Sequence, residues 1–338
     1  MRYLVRDKGY RALALSDDAS VIAELDAYVR TGTGDVKAIL ANAFIAVRVT
    51  EMVDIVEWIR SHNRDHADDP VRLFGLEPAA VRLSDYDDVI EQVRLAAPAL
   101  ADAVATRYEV IRTAHRTPEH VQIARGMHPG TPFAELGRAA YDLIAALDGF
   151  PALDTARRIA EHHEHTVAAG FDFDEQFRRV AQGIIDWHQS TGHKILFWEG
   201  LAHVANAEAM GFKGFSDQSG FTHTTGYRLR KHFGDGYVTL TVGFDHGTIH
   251  AGTQVPMPPS DFVDAVLGSA EPERYLLDLR APRPEAVTRW LSGPHKLRII
   301  AGIYKPEEDA DNYVSGGPLD EWFDAVIRIR EISPTTFF

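Results

Sequence analysis

The stretch "ILFWEGLAHVAN" (Ile195–Asn206) carries the residues best suited to chemistry. Four apolar residues run into Glu199, then Gly200, and His203 follows four places after the glutamate. Carboxylate and imidazole are the usual agents of general acid–base catalysis. If a helix begins just after Gly200, His203 falls in its first turn and Glu199 at or before its cap. There the helix N-terminus favours the ionised carboxylate, which could orient or charge the imidazole. The plainer alternative makes Glu199 a capping residue and His203 a packing residue under a loop.

Other candidates stand at the ends of similar apolar runs. Asp17 and Asp18, preceded by Ser16, follow "RALAL"; Glu77 follows "VRLFGL"; Asp245 and His246 follow "VTLTVGF", with His250 a little beyond. In open α/β sheets ligands bind past the carboxyl ends of the strands. These residues are therefore expected on one rim, with His203, Glu199 and His246 as catalytic groups and Asp17, Glu77, Asp245 and His223 on the substrate. His223 enters with the Thr224–Thr225 pair, near the start of a helix expected within "THTTGYRLRKHFGDGY". "AEHHEHT" is the most metal-like stretch, since His162 and His165 would share a helix face beside Glu161. Zinc sites need three or four ligands with an oriented second shell, and this spacing reads better as a solvated face. No metal site and no cofactor are expected.

The elements that must position these groups follow from the apolar pattern. Strand-like runs recur over Arg11–Asp18, Val71–Glu77, Lys194–Gly200, Tyr237–Gly247, Tyr275–Ala281, Leu297–Tyr304 and Phe323–Ile332. Near-continuous apolar runs indicate strands buried on both faces, as in a mostly parallel sheet. Helical periodicity separates several of them, including "VIAELDAYVR", "EMVDIVEWIRSHNRDH" and a segment after Pro258–Pro259 with Ser260 as expected N-cap. The glycine-rich "TGTGDVK" and "SGGP" lack phosphate-loop spacing and read as loops and caps. Between Ser84 and Trp187 only helical patterns occur. The expected fold is α/β: a mostly parallel central sheet with flanking helices, interrupted by an all-helical insertion. The α/β core takes 1–83 and 188–338, and the helical insertion or lid takes 84–187.

Composition narrows the partners. The 49 acidic residues against 35 basic ones leave a net charge of −14, which opposes a phosphate-tracking surface and so nucleic acid. No apolar run approaches the roughly 18 residues of a membrane helix. Cysteine is absent, so disulfides, thiolate nucleophiles and cysteine metal sites are excluded. The start, "MRYLVRDKGYRALAL", is no secretory signal because charges interrupt it. A small-molecule partner and a cytoplasmic location are the expectations.

As a whole the chain resembles the erythromycin esterase family. The matching stretches are "LDAYVRTGTGDVKAIL", "TEMVDIVEWIRSHNRDHADDPVRLFGLE", "TGHKILFWEGLAHVAN", "LRKHFGDGYVTLTVGFDHG", "IAGIYKPEEDADNYVSGGPLDEWFDAVI" and the closing "ISPTTFF". The resemblance implies an α/β core interrupted by a helical domain, with the cleft between them. It implies opening of a macrolactone by histidine- and glutamate-activated water, with no metal. Several family residues do not carry over. A family segment of the form G-E-x-T-H, with a glutamate and the proposed base, would fall before Met1. Ser16 stands at a family glutamate and Gly183 at a family asparagine, and "EQFRRVAQG" lacks the family aspartate. The family's W-A-H-N-A-H reads "WEGLAH" here, so His203 keeps the second histidine. This pattern suits a repurposed enzyme that tailors a polyketide-like natural product by acid–base cyclisation, elimination or rearrangement. The alternatives are a hydrolase of esters or lactones and a catalytically inactive binding homologue.

Overall fold

A computed structural model describes residues 1–78, 81–115, 130–164, 172–214, 220–300 and 304–338. The chain divides into two compact units. One comprises Met1–Pro78 with Phe173–Phe338, the other Ala79–Asp172.

The first unit is built outward from a parallel three-stranded sheet. Its strands are β1 (Tyr10–Asp18), β2 (Arg72–Glu77) and β3 (Lys194–Trp198), with β1 in the middle. Their near-continuous apolar character has a direct cause: both faces are covered. Leu13, Leu15 and Leu73 point into a core shared with helices α1 (Arg2–Lys8), α2 (Ala19–Thr31), α3 (Val36–Leu40) and α4 (Thr50–Asp65). The alternating residues Ala12, Ala14, Phe74 and Leu76 pack instead against Val180, Ala181, Ile184 and Ile185. Those four belong to the long helix Phe173–Thr191. The sequence groups this helix with the helical run that precedes it, but its buried face packs on the sheet, and it falls in the sheet unit.

The remaining strands of this unit form two further sheets. One is β5–β4–β10–β9, from β4 (Ala209–Lys213), β5 (Gly220–Thr222), β9 (Lys296–Arg298) and β10 (Tyr313–Ser315), wholly antiparallel. The other is β7–β6–β11–β8, from β6 (Leu240–Thr248), β7 (Gln254–Val255), β8 (Arg274–Asp278) and β11 (Ala325–Ile332). Here β6 and β11 are parallel, while β7 and β8 run antiparallel to their neighbours. The α/β class is thus realised with its strands shared among three sheets, of which the N-terminal one is wholly parallel. All seven expected strands form; that over Leu297–Tyr304 is confined to β9, and 301–303 lie outside the described residues. The expected cap at Ser260 does not form. A turn closed by the Phe262 N–H on the Pro259 carbonyl delays the helix to Val263–Gly268, and Phe262 is its N-cap.

The second unit is helical throughout its described residues, with helices Leu83–Ala96, Pro98–Ile111, Phe133–Ala145 and Leu153–His163. It has its own core, in which Tyr86, Tyr108, Phe133 and Ile144 are fully enclosed. The proline that opens the second of these helices explains the break after Ala96.

Candidate active site

After Trp198 the chain leaves the parallel sheet through Glu199 and enters a single helical turn, Leu201–Val204, with Gly200 as N-cap. The Gly200 N–H donates to Glu199 Oε1 at 2.9 Å, which fixes the carboxylate just outside the cap. Ala202 and Val204 point into the C-terminal core, so His203 between them faces the other way. One turn has little stability of its own, and outside groups hold it. The Val204 carbonyl accepts from the Tyr237 hydroxyl at 2.6 Å and from Thr239 Oγ1 at 3.0 Å. Thr224 Oγ1 donates to the Ala205 carbonyl at 2.5 Å, and the Asn206 N–H reaches the Trp322 carbonyl at 2.9 Å. Gly226, in the helix Thr225–Phe233, lies so close that a Cβ there would stand 2.1 Å from the Val204 carbonyl oxygen.

His203 and Glu199 open together onto a cavity of about 420 Å³. Its aromatic lining comes from Phe44, Phe173, Phe212, Phe221 and Phe244; Leu201, Val242, Leu297, Ile299 and Ile300 complete the apolar wall. The His203 ring stands edge-on to Phe177, with centroids 5.2 Å apart and planes at 87°, and to Phe173 at 6.4 Å. Among the described residues no hydrogen bond joins the Glu199 carboxylate to the imidazole. Both side chains are half-buried, so a ligand can reach them.

The two other charged residues on the cavity wall, Asp264 and Arg298, belong to a buried ionic network. Asp264 accepts from the Arg298 backbone N–H at 2.8 Å and from Arg328 Nη1 at 2.8 Å. Arg328 also pairs with Asp245. The Arg298 guanidinium donates to the Asp245 carbonyl, the Pro256 carbonyl and Asp309 Oδ2, at 2.7, 3.0 and 2.7 Å. Three carboxylates thus surround two guanidiniums, all nearly inaccessible to water. Burial pushes the Asp264 carboxyl above its ordinary pKa, against the Arg298 amide and Arg328, which favour the charged form. Buried charges are held in place by partners of this kind.

The remaining sequence candidates lie elsewhere in the same unit. Asp17 is buried and receives the backbone N–H groups of Asp18 and Phe44, both at 2.8 Å. It thereby ties the Phe44 loop, which lines the cavity, to the end of β1. Glu77 accepts from Gln176 Nε2 at 2.7 Å and pairs with Arg179, joining β2 to the helix Phe173–Thr191. Asp245 is the buried partner of Arg328 rather than a lining residue. His246 points to the same side of β6 as Val242 and Phe244 but lies outside the cavity lining, with Nδ1 buried and without a hydrogen-bond partner among the described residues. His223 is exposed, adopts φ 47° ahead of the Thr224 cap, and packs on Tyr227 with centroids 5.2 Å apart. Of the candidates, only Glu199 and His203 meet in the cavity. Ser16 holds a buried hydroxyl without a hydrogen-bond partner among the described residues, and a Cβ on Gly183 would come within 3.0 Å of Leu76 Cδ2. His162 lies on the helix Leu153–His163, while His165 lies outside the described residues. No group of three or more histidine or carboxylate side chains among the described residues is placed to hold a metal ion.

Periodicity gives no hint of Asp264 and Arg298 as wall residues, since each sits in a short element that reaches the cavity only through sheet packing. The signal available is compositional: single charges inside apolar stretches, as in "DFVDAVL" and "KLRII".

The class is that of an α/β protein in which a half-buried imidazole and carboxylate beside a parallel sheet open onto a cavity walled by apolar side chains. The chain belongs to the erythromycin esterase family, whose profile matches residues 5–332. Among solved structures, a succinoglycan biosynthesis protein aligns with TM-score 0.64 at 20% identity, over 100% of this chain and 83% of its own. A Bacillus cereus protein gives 0.62 at 18% identity, over 99% and 84%. A point mutant of the erythromycin esterase EreC, in its open conformation, gives 0.52 at 13% identity, over 98% and 85%. At these identities the likeness is one of fold. No curated protein matches the sequence. The family is of hydrolase type, and among the described residues no helix is long and apolar enough to cross a membrane.

Proposed function

We propose that the chain is an acid–base enzyme acting on a largely apolar, carbonyl-bearing natural product, with His203 as the proton-transfer group and Glu199 as its carboxylate. The observation that carries this reading is the convergence of these two side chains on one cavity. The other charged wall residues, Asp264 and Arg298, are held in ion pairs and hydrogen bonds. The apolar wall and the engagement of Asp17 and Glu77 in structural contacts favour chemistry without water as nucleophile: cyclisation, elimination or rearrangement. In such a step His203 takes a proton from a carbon or hydroxyl next to the carbonyl, and the same pair returns one elsewhere on the molecule. His246, Asp245, Asp17, Glu77 and His223 act in this reading as the supporting frame.

Family membership favours a second reading, in which His203 deprotonates water for attack on an ester or lactone carbonyl. One experiment separates the two. Lactones and esters, erythromycin among them, are incubated with the protein in ¹⁸O-labelled water and, separately, in D₂O, and products are read by mass. Hydrolysis gives a product one water heavier that carries the oxygen label. Cyclisation or rearrangement that reprotonates a carbon gives a product of unchanged composition carrying solvent deuterium, and elimination gives a product one water lighter; neither carries the oxygen label. Neither change at high protein concentration, across a panel that binds, removes both and leaves a binding protein.

A further inference from the structure

The sheet that contributes Val242 to the cavity does not end there. Val242 pairs in register with Ile327 on β11, and Ile327 pairs in turn with Leu276 on β8. Directly paired residues project to the same side of a sheet. The three exposures agree with this, at 55% for Val242, 36% for Ile327 and 60% for Leu276. Their chain neighbours Thr241 and Val326 are buried on the opposite side. At about 4.8 Å between strands, this aliphatic row runs roughly 10 Å outward from the cavity mouth. Leu240, two residues before Val242 on the same face, widens it and is also exposed. A contiguous apolar strip on a solvated face marks a binding surface more often than chance exposure does.

We infer that the row Val242–Ile327–Leu276 is a shelf for a neutral aliphatic arm of the substrate, whose carbonyl end enters the cavity beside His203. The inference rests on the small-molecule reading above and deepens it by naming the substrate class. Two observations commit the shelf to this occupant. Val242 belongs to the cavity wall and the shelf at once, so one ligand can cover both. The net charge of −14 opposes an anionic lipid surface or a fatty carboxylate. A neutral chain attached to the group held in the cavity meets neither objection.

The test uses methyl ketones from butanone to a tridecanone, whose carbonyl cannot be hydrolysed, with binding measured by calorimetry on the whole chain. The dissociation constant is expected to fall about two- to fourfold per added methylene while the tail lies on the shelf, then to level off. Threonine substitutions keep strand propensity at these exposed sites. Val242→Thr should weaken all but the shortest ligands, Ile327→Thr only intermediate and long ones, and Leu276→Thr only the longest. Melting curves matching the parent establish that the variants fold. A constant indifferent to tail length, or a dependence unchanged in Ile327→Thr and Leu276→Thr, overturns the shelf. So does sedimentation showing a dimer that Ile327→Thr dissolves in the absence of any tail dependence, since the face then belongs to a second copy. Turnover is not required for binding, so the two readings fail separately. Tail dependence without turnover of the matching esters leaves the shelf and removes the chemistry; turnover without tail dependence does the reverse.

Discussion

The ends of β1 and β2 and the end of β3 make an instructive pair. Each strand of the parallel sheet runs out into an acidic residue: Asp17, Glu77 and Glu199. At the first two, long-range partners hold the carboxylate. Both Asp17 oxygens receive backbone N–H groups, one from Phe44, and Glu77 is gripped by Gln176 and Arg179. At the third, the carboxylate accepts, among the described residues, only from the adjacent Gly200 N–H, and it faces a cavity with His203 alongside. Asp245, in another sheet, repeats the first pattern in extreme form, enclosed against Arg328. Position at a strand end therefore does not by itself leave a carboxylate open to a cavity. What decides is whether the rest of the fold brings a donor to it.

If that contrast is right, mutations on the two sides should part company, activity failing on one and stability on the other. The largest effect is expected for His203→Ala, with turnover of whichever ester or lactone proves active falling about 10²–10⁴-fold. Its melting temperature should move little, because the ring is only half-buried against Phe177. Unchanged turnover with a large stability loss would recast His203 as a packing residue. Next comes Asp245→Ala, which removes one of the two carboxylates paired with the buried Arg328 guanidinium and leaves it to Asp264 alone; it should cost about 3 kcal/mol in chemical denaturation. A loss below 1 kcal/mol would mean that the network is better hydrated than its burial indicates. Asp17→Ala should cost about 1–3 kcal/mol by leaving the Asp18 and Phe44 amides unsatisfied. By loosening Phe44 it should also raise KM more than it lowers kcat. Glu77→Gln, at a partly exposed ion pair, should cost no more than about 1 kcal/mol and leave kcat alone. Glu199→Gln sharpens the contrast from the other side: stability unchanged within about 0.5 kcal/mol, and turnover reduced. Equal behaviour of Glu77→Gln and Glu199→Gln in both assays would dissolve the distinction.

How much of this the sequence discloses depends on the range of the interactions. Strands β1 and β2 are readable because burial on both faces writes itself as near-continuous apolar runs, and β6, β8 and β11 because their apolar residues continue onto an exposed face. The short strands β4, β5, β7 and β10 have two to five residues each and leave no such trace; glycines at 211 and 220 weaken the signal further. The one-turn helix behind Glu199 is readable because glycine follows the carboxylate and small apolar residues flank His203. The fates of Asp17, Glu77 and Asp245 are not, since their partners lie 27, 99 to 102 and 83 positions away. The charge pattern at Asp264 and Arg298 is visible, but its meaning comes only from the meeting of β9, β11 and the helix Val263–Gly268. The Ser260 cap misleads because a proline turn delays that helix by a few residues.

The contact at Gly226 has a mechanical consequence. A helix pressed without any intervening side chain against the Val204 carbonyl acts as a hard stop for the turn that carries His203. Even one methyl group at that point would work as a shim, tilting the imidazole's platform from behind while every residue facing the cavity kept its identity. Position 226 thus offers a way to adjust the aim of the imidazole without altering the chemistry of the cavity.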